Sequence, residues 1–352
     1  MLRRVVCVLC TVLCALLVAG APYIASNLPV PPEGMAALPY EGWSGVIRLR
    51  VYQGFRTGTG SLVPWLNSCL STYEKRHSGV YVQVETVSLQ TFSTLSTDEV
   101  PPDMVIFTPG ALDNASCLEK LDISAAGISE GLIEACIWNG ECRALPLCYG
   151  GYGILLNMDD MPVLPTADEW GSAISAQYRA ATRTKKAHYA LQVPGEGGWP
   201  DAARNLLGAL PETGEQMPPD YLNCSMVKAW SDFKNGIAAC IPASQWHLRQ
   251  LYLLDCDGKA PNYTFYPSEN GYTDQYFAAG VVAGSSKDHA ARSRVCRDII
   301  GYLMGEEAQS RLSLALAMPA RADMNLYRND GNMGALEAAY TNAAKFAPLF
   351  GE

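Results

Sequence analysis

The stretch FKNGIAACIPASQWHLRQLYLLDCDGKAPNYTF, residues 233–265, decides how this chain is read. Asn235-Gly236 announces a small apolar run, residues 237–241, that stops at Pro242. An Ala-Ser-Gln-Trp turn then opens a periodic segment reaching Leu254. That order predicts strand, tight turn and helix. It places Ser244, Gln245 and Trp246 at a helix N-terminus, where backbone N–H groups lack helical partners. A polar ligand could lie there against an indole face. Packing of Trp246 onto its own lobe accounts for the same residue, since most aromatic side chains serve packing.

Working outward, residues 45–52 contain Val46, Ile47, Leu49 and Val51, enough branched apolar side chains for a strand. Residues 61–76 repeat Leu62, Trp65, Leu66, Cys69, Leu70 and Tyr73 on one helical face, and VYVQVETV at 80–87 alternates as a second strand. Strand, helix and strand at this spacing make an α/β unit. In PDMVIFTPG, residues 102–110, a buried strand at 104–107 opens into Thr108-Pro109-Gly110. Ligands collect beyond such strand ends in α/β sheets. Residues 144–159, ALPLCYGGYGILLNMD, read as two apolar strands bent at Gly150-Gly151. Thr166 followed by Glu169 is a helix-start signal just ahead of Trp170. A short strand at 189–193 leads into PGEGGW, which lacks the spacing of a nucleotide cradle but can offer Trp199 to a cleft.

Together these blocks resemble the extracellular solute-binding proteins that feed ABC importers, above all the sugar-binding group (family 1 type). The resemblance is carried by Phe233-x-x-Gly-x-Ala-Ala with its Ser-x-Trp-like turn, by Asp103 leading a strand, and by Ala144-x-Pro with its glycine turn. It continues through Pro267-Ser-Glu-Asn-Gly271 before Tyr272, Gly305-Glu-Glu-Ala-Gln309 and Met318-Pro-Ala-Arg321. It implies a type II, periplasmic-binding-protein-like α/β fold with two lobes and a hinge formed by crossing segments. Lobe one would span 45–148 with 266–305, and lobe two 149–265 with 306–350.

With 352 residues the chain can bury more than one core. Its net charge of −9, from 35 acidic and 26 basic residues, leaves no basic stripe for nucleic acid. The opening MLRR and the uncharged run to Asn27 read as a signal peptide or membrane anchor over residues 1–26, followed by a Pro-rich linker over 27–44. Both readings put the body outside the cytoplasm, secreted, periplasmic or on the outer face of the cell membrane. Nine cysteines lie in the body, and Cys136 with Cys142 across Trp138-Asn139-Gly140 forms the most plausible local pair. No C-x-x-C occurs there, and the histidines are scattered at 77, 188, 247 and 289, so neither a metal nor a cofactor is expected.

The resemblance implies capture of a sugar or oligosaccharide between closing lobes and delivery to the transmembrane subunits of an ABC permease, by a monomer. Indole and phenol faces would cover the sugar's C–H side while amides and acids take its hydroxyls. The candidate ligand set is Gln53, Thr108, Tyr149, Trp199, Gln245, Trp246, Glu269 and Tyr272, with Trp246 foremost. A peptide or polyamine ligand, or a ligand-sensing receptor, would keep the fold. A secreted glycoside hydrolase is the remote alternative. Acids stand at 169, 196, 269 and 274, but no Gly-x-Ser-x-Gly or His-centred arrangement accompanies them.

Overall fold

The computed structural model describes residues 43–95, 101–122, 127–166, 168–177, 179, 188–207, 222, 224–268, 271–284, 286–341 and 345–351. The proposed signal or anchor and nearly all of the linker lie outside them. The chain divides into residues 1–44 with 77–80, and residues 45–76 with 81–352. In the first unit, Val80 N donates to His77 O at 3.1 Å across a turn. The second unit holds both main sheets.

The strands in chain order are β1 (Gly45–Tyr52), β2 (Val80–Val87), β3 (Met104–Phe107), β4 (Ile137–Trp138), β5 (Glu141–Cys142), β6 (Leu145–Tyr149) and β7 (Tyr152–Asn157). They continue with β8 (Tyr189–Leu191), β9 (Ala238–Ser244), β10 (Tyr263–Pro267), β11 (Tyr272–Thr273), β12 (Tyr276–Val281), β13 (Met318–Pro319) and β14 (Lys345–Phe346). One six-stranded sheet has the order β13-β6-β12-β3-β1-β2, and a four-stranded sheet the order β10-β7-β9-β8. β1 and β3 run parallel, whereas β12 is antiparallel to both β3 and β6. Every residue of β3, β6, β7, β9 and β12 is buried, the signature of strands covered on both faces.

The helix Val63–Arg76 buries Trp65, Leu66, Cys69, Leu70 and Tyr73, the stripe its periodicity predicts. Its ring polar atoms are satisfied too: Trp65 Nε1 donates to Ala308 O at 2.8 Å, and Tyr73 Oη to Asp298 at 2.7 Å. In the second sheet, β9 runs through Pro242 to Ser244, two residues past the expected stop. The parallel pairing with β8 ends at Leu191 opposite Cys240, so Pro242 sits beyond the last rung on that side, where no N–H is required. At the helix Trp170–Gln177, Glu169 Oε2 accepts from Thr166 N at 2.9 Å, the reach-back predicted from sequence.

The chain passes between sheets at Gly150-Gly151, joining β6 to β7, and again over residues 268–275, joining β10 to β12. These crossings are bonded to one another. Gly150 N donates to Gln275 O at 2.6 Å, Thr273 Oγ1 donates to Gly150 O at 3.0 Å, and Gln275 N donates to Thr273 Oγ1 at 2.9 Å. The hydroxyl of Tyr340, from the helix Gly331–Thr341, accepts from Tyr152 N at 2.8 Å and donates to Tyr272 O at 3.0 Å. A Cβ on Gly151 would lie 2.7 Å from the Tyr340 ring. Residues 306–350 serve both sheets: β13 edges the larger one, while the helix Gly331–Thr341 packs on β10.

Gly151→Ala is therefore expected to lower stability by about 1–3 kcal/mol, because the buried, doubly bonded ring has nowhere to go. Equilibrium urea unfolding measures it; an unchanged midpoint would show that Tyr340 does not clamp the crossing.

Candidate functional site

A cleft of about 500 Å³ opens beside these crossings. On the side of the larger sheet it is walled by the loop that leaves the carboxyl end of β1, through Gln53, Gly54, Phe55, Arg56 and Gly60. The other wall comes from Tyr152 at the start of β7, from residues 196–199, from Met226 and Val227, and from Ser244. Asp274 and Gln275 of the second crossing form its floor. Tyr152 and Trp199, both buried, meet edge to face with centroids 4.9 Å apart and back the cleft wall with aromatic rings.

The charged groups of the wall differ in how they are served. Glu196 Oε1 accepts from Met226 N at 3.0 Å, filling one of the orphan donors at the start of the helix Met226–Lys234. Arg56 is exposed, and its guanidinium carbon lies 5.6 Å from the centroid of the Trp246 indole. Asp274 Oδ1 accepts from Tyr152 Oη at 2.5 Å. Desolvation raises the Asp274 carboxyl above its ordinary range, against the opposing hydrogen bonds from Tyr152 and from the Gly198 backbone. Burial, with Asp274 beside it, pushes the Tyr152 phenol well up. Gly198 has no side chain for a physical reason: a Cβ there would meet Asp274 Oδ2 at 2.3 Å.

Of the residues expected from sequence, Gln53 and Trp199 stand in the cleft wall. Gln53 also starts a helix, since its Oε1 accepts from Leu62 N at 2.8 Å and Ser61 Oγ at 2.9 Å. Thr108 lies behind the wall, pressed against Gly54, where an added Cβ would meet its Oγ1 at 2.2 Å. Tyr149 is buried away from the cleft, edge-on to Phe346 at 5.5 Å. Gln245 is fully buried; its Oε1 accepts from Gly151 N at 3.2 Å, which makes it a support of the crossing. Trp246 is half-buried beneath Arg56 and packs edge-on to Trp230 at 6.1 Å. Tyr272 neighbours Asp274, and burial followed by the charges of Asp274 and Asp201 pushes its phenol up to about 12. Glu269 lies outside the described residues. Cys136 and Cys142 are separate thiols.

The sequence matches no protein-family model, and no curated protein matches it. Solved structures do. The GacH receptor of Streptomyces glaucescens, solved unliganded and with acarbose, aligns over 88% of this chain and 89% of its own at 13% identity and a TM-score of 0.57. CpMnBP1 with mannobiose bound aligns over 87% and 90% at 13% identity and a TM-score of 0.61. The chain has the two-lobed fold of the carbohydrate-binding solute-binding proteins. That fold also supports catalysis, for thiaminase I from Bacillus thiaminolyticus matches over 87% of this chain and 94% of its own, at 11% identity and a TM-score of 0.60. Within the solute-binding fold, Arg56, Tyr152, Asp274 and Gln275 are wall residues that the ligand set from sequence leaves out. Among the described residues, no helix is long and apolar enough to cross a membrane, and no group of three His, Cys, Asp or Glu side chains is placed for a metal.

Behind the wall, His247 Nδ1 accepts from Ser244 N at 3.2 Å at the start of the helix Gln245–Cys256. Its ring is edge-on to Trp199, Trp230 and Trp246 at 5.5, 5.6 and 5.0 Å. Desolvation lowers its pKa to about 3, so the imidazole is neutral in the fold. The unfolded chain then binds the extra proton between its ordinary pKa of about 6.5 and that value, so stability present above pH 6.5 is lost on acidification. Between pH 6.5 and 5 this one group should remove about 2 kcal/mol. His247→Gln keeps an acceptor at the same helix position and should flatten that part of the urea-unfolding profile; an unaltered slope would mean that another group carries it.

Proposed function

We propose that this protein is the extracellular solute-binding component of an ABC importer, and that it captures a saccharide in the cleft beside the crossings. The single observation that carries the reading is the cleft itself, a partly polar, aromatic-walled space bounded by both sheets of a fold shared with receptors solved with bound saccharides. Lobe one is the six-stranded sheet with its helices, lobe two the four-stranded sheet. Closure about the crossings would withdraw the ligand from water and strengthen its polar contacts. The closed outer surface is then what the permease subunits would recognise, and the charged N-terminal apolar segment is what would export the body.

Binding rather than catalysis is supported by the wall's composition. Among the described residues, neither cysteine nor histidine lines the cleft, and the buried thiols of Cys148 and Cys240 are pushed far above their ordinary range.

Titration calorimetry against a panel of mono- and oligosaccharides tests this. One saccharide should bind with micromolar affinity, and Trp199→Leu, with its fold confirmed by circular dichroism, should weaken that binding by about tenfold or more. A panel in which no saccharide binds would sink the reading.

A further inference from the structure

Three charged side chains line the cleft, Arg56, Glu196 and Asp274, and of these Asp274 is the one set against a buried partner, Tyr152. Asp274 receives hydrogen bonds from Tyr152 Oη and the Gly198 backbone, yet among the described residues no basic side chain pairs with it. The other charged groups of the wall are exposed to water. Glu196 caps a helix, and Arg56 is exposed to water and faces the Trp246 ring. Gln275, 3% exposed and next in the wall, has an Oε1 without a partner. The Tyr152 hydroxyl spends its proton on Asp274. The atoms left over at this end of the cleft, the Asp274 carboxylate and the Gln275 carbonyl, accept hydrogen bonds and cannot donate them.

A closing cleft sharpens the mismatch. Withdrawing an ionised carboxylate from water against a neutral ligand leaves its charge uncompensated, and that desolvation weighs against binding. A sugar hydroxyl brings one donor and no charge. An ammonium brings three donors and the opposite charge, and charge-assisted hydrogen bonds are roughly twice as strong as neutral ones. The half-buried Phe55 in the facing wall, with Tyr152 and Trp199 packed behind the other, supplies apolar surface for the C–H side of a pyranose.

We infer that the ligand class is an amino sugar, a saccharide whose ring carries a free ammonium set against Asp274 and Gln275; this rests on the carbohydrate reading above. The test is calorimetry at pH 7 with glucosamine oligomers of two to four rings, the same oligomers N-acetylated, mannobiose, and spermidine as an amine without a sugar ring. The free-amine oligomers are expected to bind about tenfold or more tightly than their acetylated forms and mannobiose. Asp274→Asn should remove most of that difference. If that variant fails to fold, the comparison on the native protein still decides the charge requirement.

Acetylated or neutral saccharides binding as tightly as the free amines, or a preference that survives in folded Asp274→Asn, overturns the amino-sugar assignment and leaves the carbohydrate reading standing. Binding of spermidine with no saccharide overturns both, as does no binding at all.

Discussion

The fold depends on how closely the chain can pass over itself where β6 becomes β7. Gly150 and Gly151 bring the backbone against two buried side chains, Gln245 and Tyr340, at distances that leave no room for a methyl group. That contact lets a single phenol hold both crossings, because Tyr340 Oη reaches Tyr152 N on one and Tyr272 O on the other. The hydroxyl is buried, so losing either bond would strand a backbone group away from water. Residues distant in sequence, 150–152, 245, 272–275 and 340, thus form one hydrogen-bonded joint, and the cleft is the space beside it.

The same joint sets the electrostatics of the cleft. Tyr152 follows the first crossing and Asp274 lies in the second, so the bond between them is a product of the hinge. Two opposing influences act on the Asp274 carboxyl: its hydrogen bonds favour the charged form, and desolvation disfavours it. Desolvation prevails. His247 has no such counterweight. It is wrapped by three indoles and is left neutral, a structural histidine in an aromatic box.

Most of the elements were legible because their signals are local. The apolar face of residues 63–76, the alternation of 80–87, the reach-back of Glu169 and the bend at Gly150-Gly151 each depend on neighbours within a few positions. Pro242 misled because it is a stop only where its missing N–H faces a partner strand, and β8 has already ended there. The cleft was harder. Gln53 reaches it from a loop and Trp199 from the first position of the helix Trp199–Leu207, while Trp246, one residue into its helix, turns to Trp230 and Arg56. A helical residue's direction depends on what packs above it, and sequence spacing does not supply that. Asp274 carried no local signal at all. Its significance comes from Tyr152, more than a hundred positions earlier, and from the bare backbone of Gly198.

The strand order also constrains how the molecule can be made. β12 sits between β6 and β3 at the centre of the larger sheet, yet more than a hundred residues, including the entire four-stranded sheet, separate it from β6 in the chain. A ribosome delivers β1 to β6 first, with the slot for β12 empty and the facing edges of β3 and β6 unpaired. The smaller sheet, continuous in sequence from β7 to β10, can close while the larger one waits. The inserted lobe is therefore the natural first folding unit, and the unfilled slot is the aggregation-prone edge that a nascent chain must shield until residues 276–281 arrive.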